Sequence, residues 1–167
     1  MNIKYLADFI IKKQSELTEN RALLVAVSGI DGSGKGYITE KLITVLNEEN
    51  IHGVAINLDA WHELPSHRFN SENPAEHFYH NAFKFDALFQ ELILPLKNQR
   101  TINLTTVLTG IAGIPETYHY EFKNVDVIVL KGIFLLKHSL QHLYDLKIWI
   151  DCTFETALER AIQRNQE

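Results

Sequence analysis

The sequence predicts an α/β fold of three layers, with helices on both faces of a mainly parallel sheet. Three observations predict it. Short apolar runs of strand length alternate with stretches of helical period. One of those runs ends in a glycine-rich turn that opens directly into a helical pattern. The chain of 167 residues is 46% apolar and 22% charged, which suits one domain with a buried core and excludes a disordered chain.

The elements follow in order. From Asn2 to about Glu19, Ile3, Leu6, Ile10 and Leu17 fall near helical spacing with lysines and acids between them, which predicts an amphipathic helix. Ala22–Val27 is an uninterrupted apolar run of the kind that forms a strand buried on both faces. Ile38, Leu42, Val45 and Leu46 then make a helical stripe, and Gly53–Leu58 reads as a second strand. The polar, Pro- and Asn-punctuated stretch 60–75 reads as a loop. Phe78, Ala82, Phe85, Phe89, Leu92 and Leu96 predict one helix, ended or kinked at Pro95. The β-branched stretch Thr101–Thr109 leads into a turn with Gly110, Gly113 and Pro115, and Tyr118–Phe122 returns as its partner. Val125–Leu130 is another buried strand, followed by a predicted helix from about Ile133 to Leu143 and a strand over Leu146–Ile150. Thr153 is placed to cap a last helix with Ala157, Leu158, Ala161 and Ile162 on one face.

Charge and cysteine counts narrow the function. Sixteen basic residues stand against 21 acidic ones, a net charge of −5, and no block of lysines or arginines occurs. That argues against a general binder of nucleic acid or anionic membranes while leaving room for a local phosphate pocket. Cys152 is the only cysteine, so neither an intrachain disulfide nor a cysteine zinc site can form. The apolar runs fall far short of the roughly 20 residues that span a bilayer. Asp8 sits where a signal peptide needs apolar residues. The expectation is a cytoplasmic protein.

The strongest motif is Gly29-Ile-Asp-Gly-Ser-Gly-Lys-Gly36, which matches G-x-x-x-x-G-K between a buried strand and a helix. Glycines let successive backbone N–H groups point inward as an anion nest, and the helix N-terminus adds partial positive charge. Residues Gly29, Ile30, Asp31, Gly32, Ser33, Gly34, Lys35, Gly36 and Tyr37 are therefore the candidate nucleotide-binding set, with Lys35 reaching the β- and γ-phosphates. A plain strand-to-helix turn needs one or two glycines, not three and a lysine. The motif departs from its usual form at the last position: Gly36 stands where a Ser or Thr hydroxyl ordinarily binds Mg²⁺. Thr39 lies a turn too far along to replace it.

Further segments follow this loop in a particular order. They are Asn57-Leu-Asp59-Ala-Trp61, Asn73-Pro-Ala-Glu-His-Phe-Tyr79, Phe85-Asp-Ala-Leu88, Val127–Phe134, Asp145–Asp151, and finally Arg160 and Arg164. With the loop they resemble the uridine kinase, phosphoribulokinase and pantothenate kinase group of P-loop kinases, from about residue 20 onward. The resemblance implies a kinase that uses ATP with Mg²⁺ to phosphorylate a hydroxyl of a small metabolite, such as a nucleoside or sugar-like alcohol. It implies Asp59 as the base toward that hydroxyl, which fits a carboxylate at the carboxyl end of a parallel strand; capping of the following turn is the competing reading. By the same resemblance Trp61, His62 and Arg68 line the acceptor pocket, though each also suits a surface loop. Arg160 and Arg164, one helical turn apart, belong by resemblance to a lid that closes over the nucleotide. An exposed pair bridged to Glu155 or Glu159 is the alternative.

Lys131 is the clearest departure. The family carries an acid before glycine at this Walker B position, where it orients Mg²⁺, and here the pair is Lys131-Gly132. A lysine repels the metal and can neutralise phosphate directly. With Gly36, both usual protein contacts to the metal are gone. That motivates a second reading: a nucleotide-binding protein with weakened catalysis that acts by ligand-dependent association. His77 and His80 read as helix-surface or pocket-rim residues, Phe78, Phe83, Phe85 and Phe89 as core, and no guanine-reading Asn-Lys-x-Asp motif occurs. The expected organisation is an N-terminal helix over residues 1–20 packed on a P-loop kinase domain over 21–167. By resemblance, that domain lacks its C-terminal strand and part of its lid. Neither the acceptor nor the oligomeric state is legible.

Overall fold

The computed structural model describes residues 2–70 and 72–164, the side chain of Arg164 excepted. The chain condenses into two compact units, one of Met1–Thr18, Leu23–Ile56 and Asp126–Glu167, the other of Glu19–Ala22 and Asn57–Val125.

The first unit is built on a sheet of four strands. In chain order its elements are α1 (Ile3–Ser15), β1 (Leu23–Gly29), α2 (Lys35–Glu48) and β2 (Gly53–Asn57). The second unit supplies the helices α3 (Pro65–Arg68), α4 (Pro74–Asn81), α5 (Phe85–Ala87) and α6 (Leu94–Gln99), then strands β3 (Ile102–Leu108) and β4 (Glu116–Phe122). The chain closes with β5 (Val127–Lys131), β6 (Leu146–Ile150) and α7 (Phe154–Arg164).

The large sheet runs β2-β5-β1-β6, with β1 central and parallel to both β5 and β6. Every residue of β1 is buried, as a strand covered on both faces requires. Val25 and Val27 of β1 and Val127 and Val129 of β5 point to one face. There they meet Ala7 and Ile10 of α1 and Leu42 and Leu46 of α2. Full burial of each of the larger of these side chains contributes about 1.5–3 kcal/mol, so α1 is an integral wall of this unit. Asn2 starts α1 by accepting the amides of Lys4 (3.0 Å) and Tyr5 (3.3 Å) through Oδ1. The helix stops at Ser15, four residues short of the expected end, after a last turn carrying Lys12 and Lys13.

In the second unit β3 and β4 form the expected antiparallel hairpin, with Ile102 opposite Phe122 and Leu108 opposite Glu116. Two expectations need correction here. Residues 60–75 are not simply a loop: Leu58–Trp61 is a 3-10 turn, Pro65–Arg68 a helical turn, and α4 starts at Pro74. The single helix expected from Phe78 to Leu96 is interrupted around Phe83, where the backbone pairs with His62 as an antiparallel bridge. Lys84 N–H donates to the Trp61 carbonyl and Glu63 N–H to that of Ala82, both at 2.9 Å. After the break, α5, a π-helical stretch over Leu88–Ile93 and α6 follow one another to Gln99. Pro95 therefore does not end the helix. The widened turn ahead of it accommodates the missing N–H and the ring.

The helix expected from Ile133 to Leu143 is also absent, apart from a 3-10 turn at Gln141–Leu143. Phe134 takes φ +60°, left-handed geometry that a helix cannot contain, so the apolar run becomes a series of turns. The expected cap of α7 is present: Thr153 Oγ1 accepts the Thr156 amide at 3.2 Å. Of its apolar residues Ala157 is buried, whereas Leu158 is 61% and Ile162 48% exposed. Among the described residues no helix is long and apolar enough to cross a membrane.

Candidate functional site

The glycine-rich loop runs from the end of β1 to the first turn of α2, as the motif requires. Gly32 and Gly34 take φ +73° and +94°, geometry that strains any other residue. Gly32 has a second reason to be glycine: a Cβ there would lie 2.5 Å from the Ala157 carbonyl oxygen, so α7 packs directly on the loop. Ser33 N–H donates to the Ile30 carbonyl at 3.2 Å and closes the turn. Gly34 caps α2 without a side-chain hydrogen bond, so the first-turn amides of Gly36 and Tyr37 are open to an external acceptor. Ser33 Oγ is buried and has no partner within the structure.

Three cations converge on this loop. Lys35 Nζ donates to the carbonyls of Gly29 (3.1 Å) and Ile30 (2.7 Å), lying across the cradle. Arg160 Nη1 reaches over from α7 to the carbonyls of Gly32 (3.3 Å) and Ser33 (3.1 Å). It is thus attached to the loop itself. Lys131, at the end of β5 and in register with Val27, places its Nζ 3.6 Å from where a Cβ on Gly36 would stand. Sequence spacing gave no sign of that last pair, which are 95 positions apart (131 − 36). The side chain of Arg164 lies outside the described residues.

The group suits a polyphosphate. Open helix amides, an orphan hydroxyl and three basic side chains are the donors that bind anions at a helix N-terminus. It does not suit a divalent cation held by the protein. Gly36 offers no hydroxyl, Lys131 no carboxylate, and the lysine ammonium itself occupies the neighbourhood of Gly36. Thr39, whose side chain is buried, stands about one helical turn further along α2.

The remaining candidates belong to the second unit. Asp59 sits on the 3-10 turn that follows β2, exposed, and its carboxylate makes no hydrogen bond or ion pair among the described residues. Its backbone amide donates to Asn57 Oδ1 at 3.2 Å, so Asn57, not Asp59, provides the side-chain cap of that turn. Trp61 is buried, donates from Nε1 to the Tyr120 hydroxyl at 3.2 Å and stacks on that ring. His62 is buried against Phe83, with Nδ1 2.7 Å from the Asp59 carbonyl. Burial lowers its pKa from the ordinary 6.5, the Asp59 carbonyl opposes that shift, and the Arg68 charge adds to it. The imidazole is neutral near pH 7 and donates its Nδ1 proton to Asp59 O. Arg68 is buried as well and donates from Nη2 to the Ile111 carbonyl in the hairpin turn, at 2.7 Å. Trp61 and Arg68 thus tie the segment that follows Asp59 to the hairpin, and His62 holds the Asp59 carbonyl.

His77 and His80 do rim a cavity of about 280 Å³, shared with Glu72 and Glu76. No metal-binding cluster of His, Cys, Asp or Glu occurs among the described residues.

Comparison with known proteins finds relatives that match most of the chain. The family model described as "Phosphoribulokinase / Uridine kinase family" matches residues 24–167. A uridine kinase of Limosilactobacillus reuteri is 30% identical over 151 residues, covering 87% of this chain and 66% of that protein. A uridine kinase of Streptococcus gordonii is 29% identical over 152 residues, covering 89% and 70%. The chain thus spans about two thirds of the length of these relatives. Among solved structures, a possible uridine kinase from Bacillus stearothermophilus superposes with a TM-score of 0.74 at 19% identity, covering 99% of this chain and 91% of that one. A D-glycerate 3-kinase from Cryptococcus neoformans gives 0.55 at 16% identity, covering 80% and 52%. At these identities the structures bear on the fold alone.

Proposed function

Since this chain belongs to the phosphoribulokinase / uridine kinase family, we propose that it is a small-molecule kinase that transfers the γ-phosphoryl group of ATP to a hydroxyl of a nucleoside or sugar-like alcohol. The observation that carries this reading is the anion cradle with Lys35, Arg160 and Lys131 around it, in a chain of net charge −5. In such a cradle the amides of Gly36 and Tyr37 and the Ser33 hydroxyl hold phosphate oxygens. Lys35 leaves the Gly29 and Ile30 carbonyls for the β- and γ-phosphates, and Arg160 adds positive charge where the transferring group becomes more anionic. ATP supplies the phosphoryl group. Asp59, exposed and unpaired, accepts the proton of the attacking hydroxyl; its place directly after β2 supports that role. Trp61, His62 and Arg68 act by fixing the segment that carries it. Arg164 joins Arg160 as the second lid arginine.

The test is incubation of the chain with γ-labelled ATP and a panel of nucleosides, pantothenate and sugar alcohols. Label transferred to one member, and lost in Asp59→Asn, supports the reading. ATP binding without transfer to any member overturns it for that panel. A second reading, a nucleotide-binding protein with little transfer activity, is favoured by the pairing of Gly36 with Lys131. It gains if Lys131→Glu creates transfer that the parent chain lacks.

A further inference from the structure

Four features of Lys131 point the same way. Its backbone is fixed at the edge of the cradle, since β5 pairs with β1 in register and Gly132 N–H donates to the Val27 carbonyl at 3.1 Å. Its Nζ lies against the first turn of α2, 3.6 Å from a Cβ built on Gly36. A Cβ at 36 would be in van der Waals contact with the ammonium, so the lysine head group lies directly beside the helix start. The ammonium makes no hydrogen bond or ion pair among the described residues.

A cation at a helix N-terminus is favoured only where an anion lies beside it. The positive end of α2, Lys35 and Arg160 already face the loop, and a further cation at the helix start is disfavoured by all of them. A polyphosphate reverses the sign of each of those interactions. The two departures from the motif are also complementary in space. One removes a metal-binding hydroxyl and the other replaces a metal-orienting carboxylate with a cation, in the same few ångströms.

We propose that the Lys131 ammonium stands in for the divalent cation, so that this chain binds its nucleotide as the free, metal-less triphosphate. The inference rests on the nucleotide-binding reading above and adds what that reading leaves open, the ionic form of the ligand. Mg²⁺ on the phosphates then competes with Lys131 for the same oxygens and does not strengthen binding.

The experiment is titration of ATP into the full chain at matched ionic strength, once with excess Mg²⁺ and once with EDTA. The expected result is an affinity in EDTA equal to or greater than that in Mg²⁺. Lys131→Gln is expected to lower the EDTA affinity by roughly tenfold or more, the loss of one charged hydrogen bond, while Lys131→Arg retains most of it. Binding at least tenfold tighter with Mg²⁺, or an unchanged EDTA affinity in a folded Lys131→Gln, overturns the inference and leaves the nucleotide reading standing. No ATP binding in either buffer overturns both. If Lys131→Gln does not fold, the two-buffer comparison of the unaltered chain decides alone.

Discussion

Lys131 and Gly36, on different elements of the first unit, are a fitted pair: the lysine ammonium lies 3.6 Å from the point where Gly36 would bear a Cβ. A serine at 36 would meet an ammonium, and an acid at 131 would lack a hydroxyl opposite. The double variant Gly36→Ser/Lys131→Glu is therefore expected to make ATP binding depend on Mg²⁺, by roughly tenfold between Mg²⁺ and EDTA. Thermal shift with ATP in the two buffers reads this out. Equal shifts in both buffers contradict it.

Gly32→Ala is expected to destabilise the chain by about 1–3 kcal/mol through its left-handed φ alone. The approach of 2.5 Å to the Ala157 carbonyl adds to that by pushing α7 off the loop. Thermal or urea unfolding measures the loss. A variant as stable as the parent would mean that the packing of α7 on the loop contributes nothing.

Asp59→Asn is expected to lower phosphoryl transfer by about 10²–10⁴-fold, the range for a general base. ATP affinity should be unchanged, because Asp59 is not one of the residues that form the cradle. Titration of ATP beside single-turnover transfer separates the two effects. A parallel fall in ATP binding would assign Asp59 a different role.

His62 gives a pH dependence with a definite sign. Burial holds its folded-state pKa below 6.5, so between that lower value and 6.5 the unfolded chain binds more protons than the folded one. Stability therefore falls as pH drops below about 6.5 and is fully present above it. Urea unfolding across this range should show the slope, and His62→Gln should remove this residue's share of it. An unchanged slope in a folded variant counts against the assignment.

Trp61→Phe keeps the stack on Tyr120 and deletes the Nε1 donor, leaving the half-buried Tyr120 hydroxyl without that partner. A cost of about 0.5–1.5 kcal/mol is expected from urea unfolding.

The strand–glycine–helix unit was legible because its physics is local. A buried apolar run, glycines at positive φ and a helix start are all written within residues 22–46. The hairpin of β3 and β4 was legible for the same reason, through β-branched residues and the Gly/Pro turn between them. The break near Phe83 was not, since it is made by backbone pairing with His62, 21 positions away (83 − 62). Nor could the run from Ile133 announce its turns, because Phe134 carries no glycine-like signal for its φ of +60°. At the site, Lys35 and the loop were read from spacing. The attachment of Arg160 to the carbonyls of Gly32 and Ser33 depends on how α7 returns to the sheet, and no local pattern encodes it. Trp61 and Arg68 turned out to be engaged by Tyr120 and Ile111, partners at the hairpin that spacing could not identify.

On the proposed reading, residues 29–37 cradle a nucleoside triphosphate. Calorimetric titration of ATP, ADP and AMP into the chain and its Lys35→Ala variant tests it most directly. Saturable one-site binding that weakens from ATP to AMP, and that falls by roughly tenfold or more in Lys35→Ala, is the expected result. AMP binding as tightly as ATP, or a folded Lys35→Ala binding ATP as tightly as the parent chain, would contradict the account.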